Sequence, residues 1–175
     1  GDAAAFYAVN AVGTTHLLDA IVSLQSVPRR VVVASSANVY GNSTVEPITE
    51  GTPAAPVNHY AASKMAMEAM ARTYVDRLPL VITRPFNYTG VGQADHFLVP
   101  KLVAHFAERR PSIELGNLDV VRDFSDVRGI AEAYVRLLTA EVSGGITNLC
   151  SGVGHPLRWI LRQLSELSGH ELELK

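Results

Sequence analysis

A single cysteine, Cys150, occurs in 175 residues, so no internal disulfide can form and the chain fits a reducing compartment such as the cytoplasm. Cys150 itself reads as a small buried apolar side chain. No apolar run approaches the ~20 residues of a membrane span, so no membrane association is expected. The start, Gly1-Asp2-Ala3-Ala4-Ala5, lacks the basic and then apolar pattern of a secretion signal. Neither sign of charge dominates. Fifteen Lys and Arg against 17 Asp and Glu give a net charge of −2, and nothing in that balance attracts nucleic acid. His59, His96 and His155 do not fall at metal-ligand spacing with carboxylates or Cys150, so no metal is expected. A glycine-rich strand–turn–helix is also missing, because Gly13-Thr14-Thr15 sits inside a helical pattern. What is present is ordinary for a globular protein: 47% hydrophobic and 18% charged residues, enough for one sizeable core.

Helical and extended patterns alternate. Residues from about Asp2 to Gln25 form one predicted helix, with Val9, Gly13, Leu17, Ala20, Ile21 and Leu24 at helical spacing and Pro28 beyond it. Val31-Val32-Val33-Ala34-Ser35-Ser36 is a short branched apolar run, the mark of a strand buried on both faces of a parallel sheet. It ends in two serines, and ligands of open α/β sheets bind at the carboxyl ends of their strands. A loop rich in Gly, Asn, Thr and Pro covers Gly41 to Val57. A helix follows to about Arg77, then a second buried strand, Leu80–Arg84, stopped by Pro85. This alternation predicts a doubly wound sheet whose right-handed crossovers bring Ser36 and the segment after Arg84 close to the second helix.

Beyond Pro85 the texture changes. Phe86 to Gln93 is polar. Helices are predicted at Leu98–Arg109, Ile130–Leu138 and Leu157–Leu167, and strands at Ser112–Leu115, Val120–Phe124, Ile146–Cys150 and Glu171–Lys175. Gly116-Asn117 is read as the turn joining the first two of those strands.

The second helix opens Asn58-His59-Tyr60-Ala61-Ala62-Ser63-Lys64, behind Pro53 and Pro56, with Asn58 as its predicted cap. Spacing i to i+4 puts Tyr60 and Lys64 on one face. A free tyrosine titrates near ~10 and is a poor acid or base at neutral pH. A nearby ammonium favours the phenolate and makes the phenol useful for proton exchange with a carbinol or carbonyl oxygen.

Ser35-Ser36-Ala37-Asn38-Val39-Tyr40-Gly41, Tyr60-x-x-x-Lys64 and Arg84-Pro85-Phe86-Asn87 resemble three successive signatures of the extended short-chain dehydrogenase/reductase family. That family contains nucleotide-sugar epimerases, dehydratases and reductases. Val9-Asn10-x-x-Gly13-Thr14 resembles its helix motif before the serine strand, and Gly116-Asn117-Leu118-Asp119-x-x-Arg122-Asp123-Phe124 its diphosphate-binding segment. The resemblance covers essentially the whole chain and is greatest to the GDP-mannose branch.

The resemblance implies an α/β fold: the C-terminal part of a doubly wound, parallel-sheet Rossmann domain over residues 1–86, without the half that carries the dinucleotide loop. Residues 87–175 would be a smaller, mixed α/β substrate-binding region, with about 123–150 returning to the first domain. Ser36, Tyr60 and Lys64 are then the catalytic residues, with Ser35 as the alternative serine. NAD or NADP would be held by Asn10, Ser35, Tyr60, Lys64, Pro85 and Phe86. Asn38, Asn87, Arg122 and, more weakly, Arg158 would face a nucleotide-sugar substrate, for which the planar guanidinium suits phosphate oxygens. A homodimer built on the Tyr60 helix and the one before it is also implied.

Two departures qualify this. Asn38 stands where the 4,6-dehydratases of the family carry a glutamate, and an amide cannot accept the proton that dehydration removes. Gly129 replaces a common acidic residue. The expected activity is therefore hydride transfer to the C4 ketone of a GDP-linked 6-deoxy-4-keto-mannose, with a 4-epimerase as the alternative and a non-catalytic binding module as the reading outside enzymology. Without the glycine-rich loop, the isolated 175-residue chain should bind dinucleotide weakly. Calorimetry showing tight NADPH binding by this chain alone would contradict that.

Overall fold

The computed structural model describes residues 2–141 and 144–175, so residue 1 at the head of the 1–86 stretch and residues 142 and 143 within 123–150 lie outside the description. In chain order the elements are α1 (Ala3–Tyr7), a π-helical turn (Ala8–Gly13), α2 (Thr14–Val22), β1 (Val31–Ala34), a 3₁₀ turn (Ala37–Tyr40), α3 (His59–Ala71), a second 3₁₀ turn (Arg72–Tyr74), β2 (Leu80–Pro85) and β3 (Asn87–Thr89). They continue with α4 (Leu98–Ala107), β4 (Ser112–Ile113), β5 (Val121–Asp126), α5 (Val127–Thr139), β6 (Gly145–Leu149), β7 (Gly154–Pro156), α6 (Leu157–Ser168) and β8 (Glu173–Leu174). The chain divides into two compact units, Gly1–Phe86 with Ile130–Leu149, and Asn87–Gly129 with Cys150–Lys175.

The first unit is an all-parallel sheet of order β1-β2-β6. Val31 pairs with Leu80 and Ala34 with Thr83; Val81 pairs with Gly145 and Pro85 with Leu149. Every residue of β2 is buried: Leu80, Val81 and Ile82 fill the apolar half of this central strand, and Thr83 and Arg84 follow with their polar groups covered. Leu18 of α2, Met67 and Ala71 of α3, and Val33, Leu80 and Ile82 of the sheet form its core. The cap of α3 is Asn58, whose Oδ1 accepts from Ala61 N at 2.9 Å. Gly41 ends the first 3₁₀ turn at φ +62°, and a Cβ there would lie 2.0 Å from the Ala55 carbonyl oxygen. Only glycine fits both constraints.

The first helical stretch departs from the single helix expected over Asp2–Gln25. It widens into a π turn at Ala8–Gly13 and ends at Val22, where the Ser23 N–H and hydroxyl both return to the Asp19 carbonyl. Of its apolar positions only Leu18 is fully covered, and Val9, Leu17 and Leu24 are 71%, 58% and 54% exposed. The extra residue in the π turn shifts the phase of the stripe, so the simple 3.6-residue period misplaces its buried face.

The second unit holds β3-β5-β7 and a separate β4-β8 pair. β3 runs parallel and β7 antiparallel to β5; Asn87 pairs with Phe124, and Arg122 with His155. Leu102 and Phe106 of α4 pack with Ile113 and with Leu157, Ile160 and Leu161 of α6. The strands on either side of the Gly116-Asn117 turn do not pair with each other. Ser112–Ile113 pairs with Glu173–Leu174, and the strand after the turn pairs with β3 and β7 instead. A local turn signal says nothing about partners distant in sequence. The polar Phe86–Gln93 stretch likewise contains β3. Cys150 is exposed rather than buried, since it lies just past the end of β6.

Among the described residues no helix is long and apolar enough to cross a membrane. Leu18 is 1% exposed in the middle of the first unit's core. Leu18→Ala should lower unfolding free energy by about 2–5 kcal/mol, read from a urea transition with unchanged slope.

Candidate active site

Asn58 starts α3, and the 3.6-residue period then sets Tyr60, Lys64 and Glu68 in a row up one side. The Lys64 ammonium lies 5.9 Å from the centre of the Tyr60 ring. It donates to the Ala34 carbonyl at 2.8 Å, at the carboxyl end of β1. Burial lowers the Lys64 pKa below the ordinary lysine value. Phe6 of α1 packs edge-on against Tyr60, with ring centres 5.8 Å apart. That aromatic contact fixes the phenol ring from the side opposite in sequence, and no sequence motif marked Phe6.

The two serines after β1 divide their work. Ser36 is buried, and its Oγ accepts from Asn38 N at 3.2 Å, capping the 3₁₀ turn that packs on α3. Its hydroxyl proton remains to be donated. Ser35 turns its hydroxyl into the protein and donates to Glu68 Oε1 at 2.5 Å. The donor of Ser35 is therefore committed inside the fold, which removes the support for Ser35 as the alternative catalytic serine. Asn10, in the π turn, donates to Ser63 Oγ at 2.9 Å, and Ser63 donates to the Tyr60 carbonyl at 2.8 Å. Asn10 thus reaches the Tyr60 turn through a fully buried serine.

Beneath this face lies a polar network that sequence reading missed. Arg84 of β2 donates from Nε to Glu68 Oε1 at 2.9 Å and from Nη2 to Glu68 Oε2 at 2.6 Å. Both side chains are nearly inaccessible, 5% and 3% exposed. Arg84 also stacks over the Tyr40 ring at 4.7 Å, and Tyr40 donates to Asn148 Oδ1 of β6 at 2.7 Å. Burial opposes the Arg84 charge, but the Glu68 carboxylate and the Tyr40 hydroxyl outweigh it and raise the guanidinium pKa. Glu50 accepts from Asn148 N at 2.8 Å, and that bond holds its carboxyl below the ordinary range. The signal available in the sequence was a glutamate one turn after Lys64, facing an arginine at a strand end.

Pro85 is buried at the end of β2, and Phe86 is half-buried, with its N–H on the Leu149 carbonyl and its ring 6.3 Å from Tyr40. Asn38 is exposed on the 3₁₀ turn. In the second unit, Asn87 donates to the Asp123 carbonyl at 3.2 Å. Arg122 is exposed, reaches back to the Val121 carbonyl at 2.8 Å, and lines a cavity of about 250 Å³ with Leu98, Asn117, Val120, Phe124 and Leu157. Arg158 does not line that cavity. It is exposed and paired with Asp119 at 2.6 Å, so the expectation that it serves the substrate finds no support in its placement. Among the described residues no group of three or more His, Cys, Asp or Glu could hold a metal ion.

The family described as GDP-mannose 4,6 dehydratase matches residues 1–170. GDP-6-deoxy-D-talose 4-dehydrogenase of Aggregatibacter actinomycetemcomitans is 39% identical over 97% of this chain, and GDP-6-deoxy-D-mannose reductase of Pseudomonas aeruginosa is 32% identical over 95%. The chain spans 58% and 57% of those two relatives. Among solved structures, a candidate epimerase from Burkholderia cenocepacia is 50% identical, with a TM-score of 0.96, covering all of this chain and 58% of its own. RMD from P. aeruginosa complexed with NADPH is 32% identical, with a TM-score of 0.92, covering 99% and 61%.

Removing one partner of the Arg84–Glu68 pair leaves a buried charge without compensation. Arg84→Ala should cost about 3–5 kcal/mol in chemical unfolding. Arg84→Lys should recover only part of it, because an ammonium cannot reproduce the two-pronged geometry.

Proposed function

The chain belongs to the GDP-mannose 4,6-dehydratase family of extended short-chain dehydrogenase/reductases, and from that premise we propose that the protein is an NAD(P)H-dependent reductase of the C4 ketone of a GDP-linked 6-deoxy-4-keto-hexose. The observation that carries this reading is the row on α3: a lysine ammonium 5.9 Å from the Tyr60 ring, anchored at the end of the β1 strand that bears Ser36. The names of the two curated relatives, a 4-dehydrogenase and a reductase of GDP-6-deoxy sugars, support the substrate class. NADPH in a similar solved structure supports the cofactor.

The donor set fits the nicotinamide-ribose end of a dinucleotide: a partly buried ammonium suited to ribose hydroxyls, beside a phenol. When bound, the nicotinamide supplies the hydride. Tyr60 donates its proton to the oxygen at C4 as negative charge develops there. Ser36 donates a second hydrogen bond to that oxygen, its acceptor side being used by Asn38 N. Donors already aimed at the developing charge need no reorganisation during the reaction. Lys64 holds the ribose beside the Tyr60 ring. Arg122, with an apolar cavity around it, takes the nucleotide diphosphate end, and Asn87 serves the same segment.

The family name includes dehydration, but Asn38 offers an amide where proton abstraction needs a base. A second reading, a 4-epimerase, is favoured by the 50% identity to the Burkholderia protein. We also propose a cytoplasmic homodimer in which the exposed apolar residues Val9, Val12 and Leu17 of the first helical stretch are covered by a second copy.

The full-length protein should consume NADPH in proportion to a GDP-linked 4-keto-6-deoxy sugar. Sugar interconversion without net NADPH use would favour the epimerase. Tyr60→Phe should abolish either activity, and Arg122→Ala should raise KM for the GDP-sugar while leaving kcat within a few-fold. Full activity in Tyr60→Phe would end the assignment.

A further inference from the structure

We propose that Glu68 is a positioning residue for the reaction: through the Ser35 hydroxyl it fixes the end of β1, so that the Ala34 carbonyl holds the Lys64 ammonium and Ser36 keeps its orientation. This rests on the reductase reading above and adds a residue that the Ser-Tyr-Lys set does not include.

Ala34, Ser35 and Ser36 are consecutive. The first binds Lys64 through its carbonyl, and the second binds Glu68 through its hydroxyl. The third carries the hydroxyl placed at the reacting oxygen. Lys64 and Glu68 are one helical turn apart on the same face of α3. The strand end and the helix are therefore joined by two rungs, one from each residue type. Ser35 N is bonded to the Thr83 carbonyl at 2.8 Å, so β2 limits movement of this segment in the plane of the sheet. The Glu68 rung, together with the Lys64–Ala34 bond, limits its rotation about the strand axis toward α3.

Glu68 is in turn held rigid. Its Oε1 takes both Ser35 Oγ and Arg84 Nε, and its Oε2 takes Arg84 Nη2. A carboxylate with every contact to a neighbouring element, 3% exposed, has no second rotamer to visit without leaving Arg84 unmatched. A charge-assisted bond of this kind is short and directional, as the 2.5 Å Ser35–Glu68 distance shows. Loss of that rung lets the Ala34 carbonyl turn away from the ammonium. Lys64 then moves away from its place beside the phenol ring, and the two groups no longer face the substrate together.

The test is made on the full-length protein with NADPH and a GDP-linked 4-keto-6-deoxy sugar. Ser35→Ala removes the rung and keeps the ion pair. It also leaves Lys64, and the Tyr7–His59 contact at the start of α3, unaltered in composition. Ser35→Ala should lower kcat about 10- to 100-fold, the order expected for misplaced reacting groups, with KM for the sugar within about twofold. Glu68→Gln should lower kcat in the same way, and Glu68→Asp should recover part of it. If Glu68→Gln fails to fold, Ser35→Ala decides alone. A raised KM alone, a kcat that Glu68→Asp leaves as low as Glu68→Gln does, or an unchanged enzyme overturns the proposal. Tyr60→Phe, run alongside, separates the two failures. An unmodified protein without activity, or an active Tyr60→Phe, removes the reductase reading itself. An active protein, an inactive Tyr60→Phe and an unaffected Ser35→Ala removes only the role of Glu68.

Discussion

A carboxylate and a guanidinium buried together are tolerable only while both their bonds are made, and the first unit is arranged around one such pair. Glu68 and Arg84 join α3 to β2 by two bonds, at 2.9 and 2.6 Å, with almost no access to water. Breaking the match exposes a desolvated charge, so the helix cannot slide or rotate against the strand at small cost. That restriction reaches the chemistry through short distances along the chain. Lys64 is one turn before Glu68 and Tyr60 one turn before Lys64, so a fixed Glu68 fixes the phase of all three. Ser35, held by the same carboxylate, ties in the end of β1. Tyr40, over the Arg84 guanidinium, carries the network on to Asn148 in β6.

On that support sits a small set of groups with complementary deficiencies. A tyrosine alone is too weak an acid, and a lysine alone is a strongly hydrated cation with no reason to stay near it. Desolvating the ammonium and giving it the Ala34 carbonyl keeps it beside the ring. Phe6 against the Tyr60 ring, and Asn10 acting through Ser63 on the Tyr60 carbonyl, hold the phenol from the other sides. The same scaffold serves several reactions in related proteins, so the residue that differs is the informative one. Asn38 next to this set leaves proton exchange at an oxygen available and removes a base for proton abstraction at carbon.

The sequence was most readable where a physical period or a steric rule acts locally. Pro56 and Asn58 predicted where α3 begins, the Val31–Val33 run predicted a parallel strand, though as the edge of this sheet only Val33 of it is buried, and Tyr60 and Lys64 were recognisable from their spacing. Reading failed where partners lie far apart in the chain. Nothing near Ser112 indicates that it pairs with Glu173, and nothing near Gly116 indicates that the turn joins strands that never meet. Val9, Leu17 and Leu24 fit a helical stripe, yet the π turn rotates them outward. The Glu68–Arg84 pair was overlooked for a different reason: a glutamate one turn after Lys64 and an arginine at a strand end read as surface until they are known to be partners. Arg158 shows a related limit: its pairing with Asp119, distant in the chain, was not legible from the residues around it.

The central claim is that this chain's tyrosine and lysine place a proton on a sugar oxygen while C4 receives hydrogen from a nicotinamide. The most direct measurement follows NADPH carrying deuterium at the transferable position of its nicotinamide ring, with the full-length protein and a GDP-linked 4-keto-6-deoxy sugar. The account predicts one deuterium at C4 of the product sugar for each NADP formed. Product without deuterium at C4, or NADP formed without a change in the sugar, would contradict it.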